Sequence, residues 1–166
     1  MLSNFRIRSI QKNDYDELAI MVGELLHEIM KKTTVNSFNY NQLETKNRAK
    51  TLVNEGKYWV FIAEEIDSTT KIGFVSLYES YALYSEGAYG TMPELYVRPD
   101  WRSKSLGKLL LDEVRIFSMH KKWHRVEVTT PSLPEFDRTL NFYQNNGFEI
   151  TGGRKLKTDI NPAIKE

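Results

Sequence analysis

The segment YWVFIAEEIDSTTKIGFVSLYE, residues 58–79, constrains the fold more than any other stretch of this chain. Two apolar, β-rich runs, 58–65 and 71–79, flank the short polar turn IDSTT, the pattern of a β-hairpin. Gly73 near the start of the second run predicts a bulge or a close backbone approach. On the N-terminal side, FRIRSI (5–10) alternates at period two and predicts a strand. NDYDELAIMVGELLHEIM follows, with Leu18, Val22, Leu25 and Ile29 as one helical stripe. Asn13 or Asp14 is its N-cap, Asp14 with Glu17 making a capping box. Residues 31–41 have neither period and predict a loop; a weaker helix spans about 41–55 and ends before Gly56.

Past the hairpin, SYALYSEGAYG predicts a tyrosine-rich loop and TMPELYV (91–97) a strand. A helix with Leu106, Leu109, Leu110, Val114 and Phe117 inward comes next, then a strand at RVEVTT (125–130). DRTLNFYQNNGF predicts a short helix with Leu140 and Tyr143 on the face of Phe136 and Gly147 as a left-handed C-cap. The tail FEITGGRKLKTDI predicts two strands about a Gly-Gly turn. The order is β-α-α-β-β-β-α-β-α-β-β. A meander followed by a βαβ unit implies a mixed α/β fold, one sheet with helices on both faces.

No repeat or linker divides the 166 residues, so a single domain over 1–166 is expected. With 40% hydrophobic and 27% charged residues, the composition is that of a globular chain. A net charge of +1 leaves no global field toward nucleic acid or an anionic membrane. The absence of cysteine excludes disulfides, thiolate metal sites and a cysteine nucleophile. MLSNFRIRSIQKND turns polar too early for a signal peptide, and no apolar run reaches bilayer length; a cytoplasmic protein is expected.

The stretch RPDWRSKSLGKLLL (98–111) carries the chemistry. A helix N-terminus leaves unpaired N–H groups and a partial positive charge, which attract phosphate when small residues allow close approach. Ser103, Ser105 and Gly107 are small, while Arg102, Lys104 and Lys108 add charge. The alternative is a plain helix start with Ser105 as N-cap. A dinucleotide fold is disfavoured, since no glycine-rich turn follows an early strand and the acidic ribose ligand about 20 residues later is missing. Nucleic-acid binding through RSKSLGK and HKKWHR conflicts with the near-neutral charge.

The motif LYVRPDWRSKSLG, followed after a helix and a strand by FYQNNGF (142–148), resembles the GNAT superfamily of acyl-CoA-dependent N-acetyltransferases. The family's phosphate loop is Arg or Gln, two residues, Gly, one residue, then Gly or Ala, and the likeness in element order runs from residue 5 to about 160. Ser105 stands where the family has its first loop glycine; serine is comfortable there at negative φ and disfavoured where positive φ is required. The resemblance implies a mixed, mostly antiparallel central sheet and acetyl-CoA as co-substrate, without a metal. It implies diphosphate binding by Arg102, Ser103, Lys104, Ser105, Leu106, Gly107 and Lys108, and pairing of the pantetheine arm with Leu95, Tyr96 and Val97 beside a strand splayed away at 125–130. The Val97 N–H is the implied donor to the thioester oxygen.

An ammonium acceptor must lose a proton before it attacks, and the departing thiolate gains one. Glu94 is the candidate base, with an anchoring role as its alternative; the resemblance makes Tyr143 the candidate acid, with packing as its alternative. His27, His120 and His124 are read as solvated or capping residues, without a third ligand for a metal. Tyr81, Tyr84, Tyr89, Glu79 and Glu86, with loop 31–41, are the acceptor walls, suited to a cation. The expected activity is N-acetylation of a primary amine on a small molecule by direct attack in a ternary complex. The alternatives are a non-catalytic acyl-CoA-binding module and acetylation of a protein amine. A homodimer is consistent with the resemblance; nucleic-acid and membrane partners are not expected.

Overall fold

The expected hairpin is the centre of the sheet. The computed structural model describes residues 4–160, and in it β1 (Phe5–Ser9), β2 (Trp59–Glu65) and β3 (Lys71–Ala82) lie side by side antiparallel. β4 (Gly87–Met92) pairs with the far half of β3 and β5 (Leu95–Val97) with its near half, both antiparallel. β6 (Val126–Val128) adds to β4 alone, in parallel. The helices are α1 (Tyr15–Thr33), α2 (Gln42–Asn54), α3 (Leu106–His120) and α4 (Asp137–Asn145).

Alternation along the strands divides the core in two. Val60, Ile62, Phe74 and Tyr96 join Leu18 and Met21 of α1 on one face. On the other, Phe61, Ala63, Val75 and Leu77 join Leu106, Leu110, Leu111 and Val114 of α3. A strand covered on both faces reads as a nearly continuous apolar run, which is why 60–63 and 72–77 do. Each fully buried Leu or Phe contributes roughly 1.5–3 kcal/mol. Gly73 meets both of its expectations. The register shifts opposite it at Ala63/Glu64, and a Cβ at Gly73 would lie 2.6 Å from the Tyr96 carbonyl oxygen.

Several expectations are corrected. The tyrosine-rich segment 80–90 is a hairpin, because Ser80, Tyr81 and Ala82 pair with Tyr89, Ala88 and Gly87, and only Leu83–Glu86 turn between them. The strand expected over 91–97 is broken at Pro93, which lacks an N–H, and Glu94. Residues 148–160 hold no strand: Ile150, Leu156 and Ile160 are 73%, 91% and 85% exposed. A two-stranded ribbon with no buried apolar face is marginal. The order among the described residues is therefore β-α-α-β-β-β-β-α-β-α.

Asp14 precedes α1 as expected, but not as a box with Glu17. Its carboxylate accepts the Gln11 N–H (2.7 Å) and two Arg8 nitrogens (2.6 and 3.0 Å). Burial pushes its pKa up, but those hydrogen bonds and the charges of Arg8 and Lys71 hold it below its ordinary value. Buried Glu64 shares the network, accepting from Arg6 (2.7 Å), Arg8 (2.6 Å) and Lys71 (2.8 Å). The Arg8 hydrogen bond leads in holding Glu64 at about 2. A buried charge persists only when paired in this way, and the network ties β1, β2, β3 and the start of α1 together.

Candidate functional site

Two strands that pair with β3 but not with each other open a gap. β4 and β5 both lie along β3, yet β6 follows β4 alone, so the far edge of β5 is unpaired. The Ser76 N–H donates to the Glu94 oxygen and the Arg98 N–H to the Ile72 oxygen, both at 2.9 Å. By antiparallel alternation the backbone of Tyr96 also faces β3, while Leu95 and Val97 turn their N–H and C=O groups away from it to the gap, the Val97 oxygen there accepting from Arg102 Nε. Of the three expected residues, Leu95 and Val97 have N–H groups not paired with β3, whereas the Tyr96 backbone is committed to β3 and its ring packs on Phe74 in the core.

The loop leading into α3 borders the same gap. The backbone N–H groups of residues 103–108 donate to no other protein group among the described residues. The first helical bond of this turn is Leu109 N–H to the Ser105 oxygen (3.1 Å), and Ser105 at the N-cap gives no side-chain cap. Ser103 and Ser105 have φ of 63° and 62°, so the second occupies the left-handed region that glycine favours. A non-glycine residue there costs roughly 1–2 kcal/mol. Alternate left-handed residues turn the exposed backbone into a concave row of amides, the type of cradle that binds anions. A diphosphate fits that row in charge and hydrogen-bonding sense. Gly107 answers a different need. A Cβ there would stand 3.0 Å from the Phe142 ring, so its small size lets α4 pack on α3.

The charged side chains of the loop are less available than the sequence implied. Arg102 Nε donates to the Val97 oxygen (2.8 Å) and its two terminal nitrogens grip Glu28 of α1 (3.0 and 2.6 Å). Burial raises the pKa of Glu28, but the Arg102 and Lys32 contacts outweigh it and hold it low. Lys108 pairs with Asp112 (3.0 Å), and Lys104 lies 4.6 Å above the Trp101 ring.

Glu94 lies at the break between β4 and β5. Its Oε2 accepts from the Tyr58 hydroxyl (2.7 Å) and from Ser76 Oγ, leaving Oε1 without a protein partner among the described residues. Burial first, then the Glu94 charge, push the Tyr58 phenol up in pKa. Tyr143 is 6% exposed and packs between Phe142 and Phe148, each at 5.3 Å in edge-on geometry. It shares its apolar cluster with Leu95 and Val97, and burial raises its pKa, so its proton is retained at neutral pH.

The acceptor wall differs from expectation. Glu79 and Tyr81 line a cavity of about 380 Å³ with Tyr58, Trp59 and Tyr78. Glu79 is already held by Trp123 Nε1 (2.6 Å) and the Tyr81 hydroxyl. Tyr84 and Tyr89 face the chain's own Arg125, at 5.5 and 4.9 Å, instead of lining the cavity. Of the expected loop 31–41, residues 31–33 instead continue α1, and the remaining loop 34–41 is pinned by the Tyr40 hydroxyl, which donates to the Ala19 oxygen (2.6 Å). Sequence reading missed Tyr58 and Ser76, which strand alternation places on the Glu94 side of the sheet. It also missed Glu28 and Arg138, which look like solvated helix charges. No group of three or more His, Asp or Glu side chains is placed to hold a metal among the described residues. No described helix is long and apolar enough to cross a membrane.

Solved structures share this architecture. An aminoglycoside acetyltransferase from an uncultured soil metagenomic sample, in complex with trehalose, is 19% identical, covering 95% of this chain and 97% of its own with a TM-score of 0.72. Glucosamine-6-phosphate N-acetyltransferase from Arabidopsis thaliana is 17% identical, over 94% and 99% of the two chains, with a TM-score of 0.71. A predicted acetyltransferase from Clostridium acetobutylicum, solved with acetyl-CoA, is 14% identical over 93% and 96%, with a TM-score of 0.70. No curated protein sequence matches this chain. The acetyltransferase (GNAT) domain model matches residues 54–150, from the end of α2 past α4, and the chain belongs to that family.

Proposed function

We propose that this protein transfers an acetyl group from acetyl-CoA to a primary amine of a small molecule, by direct attack within a ternary complex. The observation that carries the reading is the row of unsatisfied N–H groups at 103–108 beside the unpaired edge of β5. Acetyl-CoA supplies an activated acyl group. The backbone of 103–108 holds the diphosphate with the α3 dipole behind it. Leu95 and Val97 pair with the pantetheine arm, and the Val97 N–H donates to the thioester oxygen as negative charge develops there. Glu94 Oε1 accepts the proton of the attacking ammonium or holds that ammonium in place. The Tyr143 hydroxyl donates to the departing sulfur. The cavity bounded by Tyr58, Tyr78 and Glu79 receives the rest of the acceptor.

The relatives named above as acetylating an aminoglycoside and an amino sugar phosphate support a small-molecule acceptor. The test is an amine panel incubated with acetyl-CoA and protein, with release of free thiol followed. Acceptor-dependent thiol release with an N-acetyl product is expected. Saturable CoA binding without turnover on any amine would assign a non-catalytic acyl-CoA-binding module instead.

A further inference from the structure

Two arginines beside residues 103–108, Arg102 and Arg138, differ in what their guanidinium groups already hold. Arg102 has three of its five N–H groups engaged, one on the Val97 oxygen and two on Glu28. One face of its guanidinium lies 5.6 Å from the Tyr96 ring. Its charge is neutralised in a two-pronged pair, the geometry that gives guanidinium–carboxylate contacts their strength. Turning it toward a phosphate would break that pair and free the Val97 carbonyl at the open edge of β5.

Arg138 is the opposite case. It stands in the first turn of α4, exposed, with Nη2 3.5 Å from Ser103 Oγ and no carboxylate paired with it among the described residues. Its charge thus stands beside the loop with no carboxylate holding it, whereas Lys108 is paired with Asp112.

Within the acetyl-CoA site proposed above, we infer that Arg102 is a positioning residue, holding the open edge of β5 against α1 through Glu28, and that Arg138 is the guanidinium that meets the diphosphate. The strut also joins the phosphate loop to α1, whose far end carries the acceptor-side loop 34–41. Arg98 reinforces it, gripping Glu24 (3.1 and 2.9 Å) one turn earlier on the same helix and Glu17 (2.6 Å) about three turns earlier.

The two roles separate when CoA is compared with pantetheine, which has the arm but no diphosphate. Calorimetry measures CoA binding to the wild type, Arg138→Gln, Arg102→Gln, Glu28→Gln and the Arg102→Gln/Glu28→Gln double variant. Pantetheine is measured as a competitor, and apo melting is recorded for each protein. Arg138→Gln is expected to weaken CoA about tenfold, as for loss of one charge-assisted contact, to leave pantetheine unchanged, and to flatten the salt dependence of CoA binding. Arg102→Gln is expected to weaken both ligands by a similar factor. Glu28→Gln should reproduce that loss, and the double variant should add nothing to it. Should Arg102→Gln fail to fold, Glu28→Gln carries the same expectation alone. A loss confined to CoA in Arg102→Gln or Glu28→Gln, or none in Arg138→Gln, overturns the inference while the cofactor assignment stands. A wild type silent toward CoA overturns the cofactor assignment and the inference with it.

Discussion

Gly23 sits in the middle of α1, where alanine is ordinarily the better residue by about 1 kcal/mol. Here the tertiary contact reverses the sign. A Cβ on Gly23 would lie 2.5 Å from Tyr40 Cζ and 2.7 Å from its hydroxyl oxygen, far inside the contact distance of about 3.5–4 Å for carbon atoms. Gly23→Ala must therefore push the ring out. The Tyr40 hydrogen bond to the Ala19 oxygen, at 2.6 Å, is lost at a cost of about 1 kcal/mol. Exposing part of a half-buried ring costs about 1–2 kcal/mol more. Set against the gain in helix propensity, the net loss is about 1–2 kcal/mol, or roughly 2–8 °C in Tm for a domain of this size. Thermal unfolding of four proteins tests this: wild type, Gly23→Ala, Tyr40→Ala and the double variant. In the Tyr40→Ala background the same substitution should raise stability by about 1 kcal/mol, since nothing remains to displace. A higher Tm for Gly23→Ala in the wild-type background would refute the reasoning.

Tyr143→Phe keeps the ring packing and removes the hydroxyl, so Tm should hardly move while kcat falls by about tenfold to a hundredfold; an unchanged kcat with a chemistry-limited acceptor rejects the acid role. Glu94→Gln is expected to lower kcat/KM by about a hundredfold near neutrality. A raised amine KM with an unaltered rate profile would instead mark Glu94 as an anchor. Glu64 is held at about 2, against an ordinary 4.5, so the stability it contributes is complete above pH 4.5 and is lost as pH falls toward 2. Glu64→Gln should lower stability at neutral pH and flatten its decline over that acid window, as read from urea midpoints at several pH values; a parallel decline in both proteins contradicts the assignment.

The parts of this protein legible in the sequence are those set by local periodicity. The hairpin 58–79, the helices 15–33 and 106–120 and the left-handed Gly147 all depend on neighbours within a few residues and stand as expected, although α1 buries Ala19 and Met21 beside Leu18 with Val22 and Leu25 only half-buried, and α3 buries Leu111 in place of Leu109. The loop was also recognisable, since small residues before an amphipathic helix are a local property. Period two assigns side chains to faces but does not say which strand edge is left without a partner. That β6 follows β4 and abandons β5 depends on how the whole sheet is laid, and it is this that opens the gap. Nor does the sequence disclose where a long charged side chain spends its hydrogen bonds. Arg102 resembled a phosphate ligand until Glu28, 74 residues away, was seen to hold it, while Arg138, which looked like an ordinary surface charge, lies beside Ser103. Serine at 105 takes the left-handed backbone in an exposed turn whose flanks, Trp101 and Leu106, are anchored in the core, so that tertiary contacts outweigh a local preference of roughly 1–2 kcal/mol.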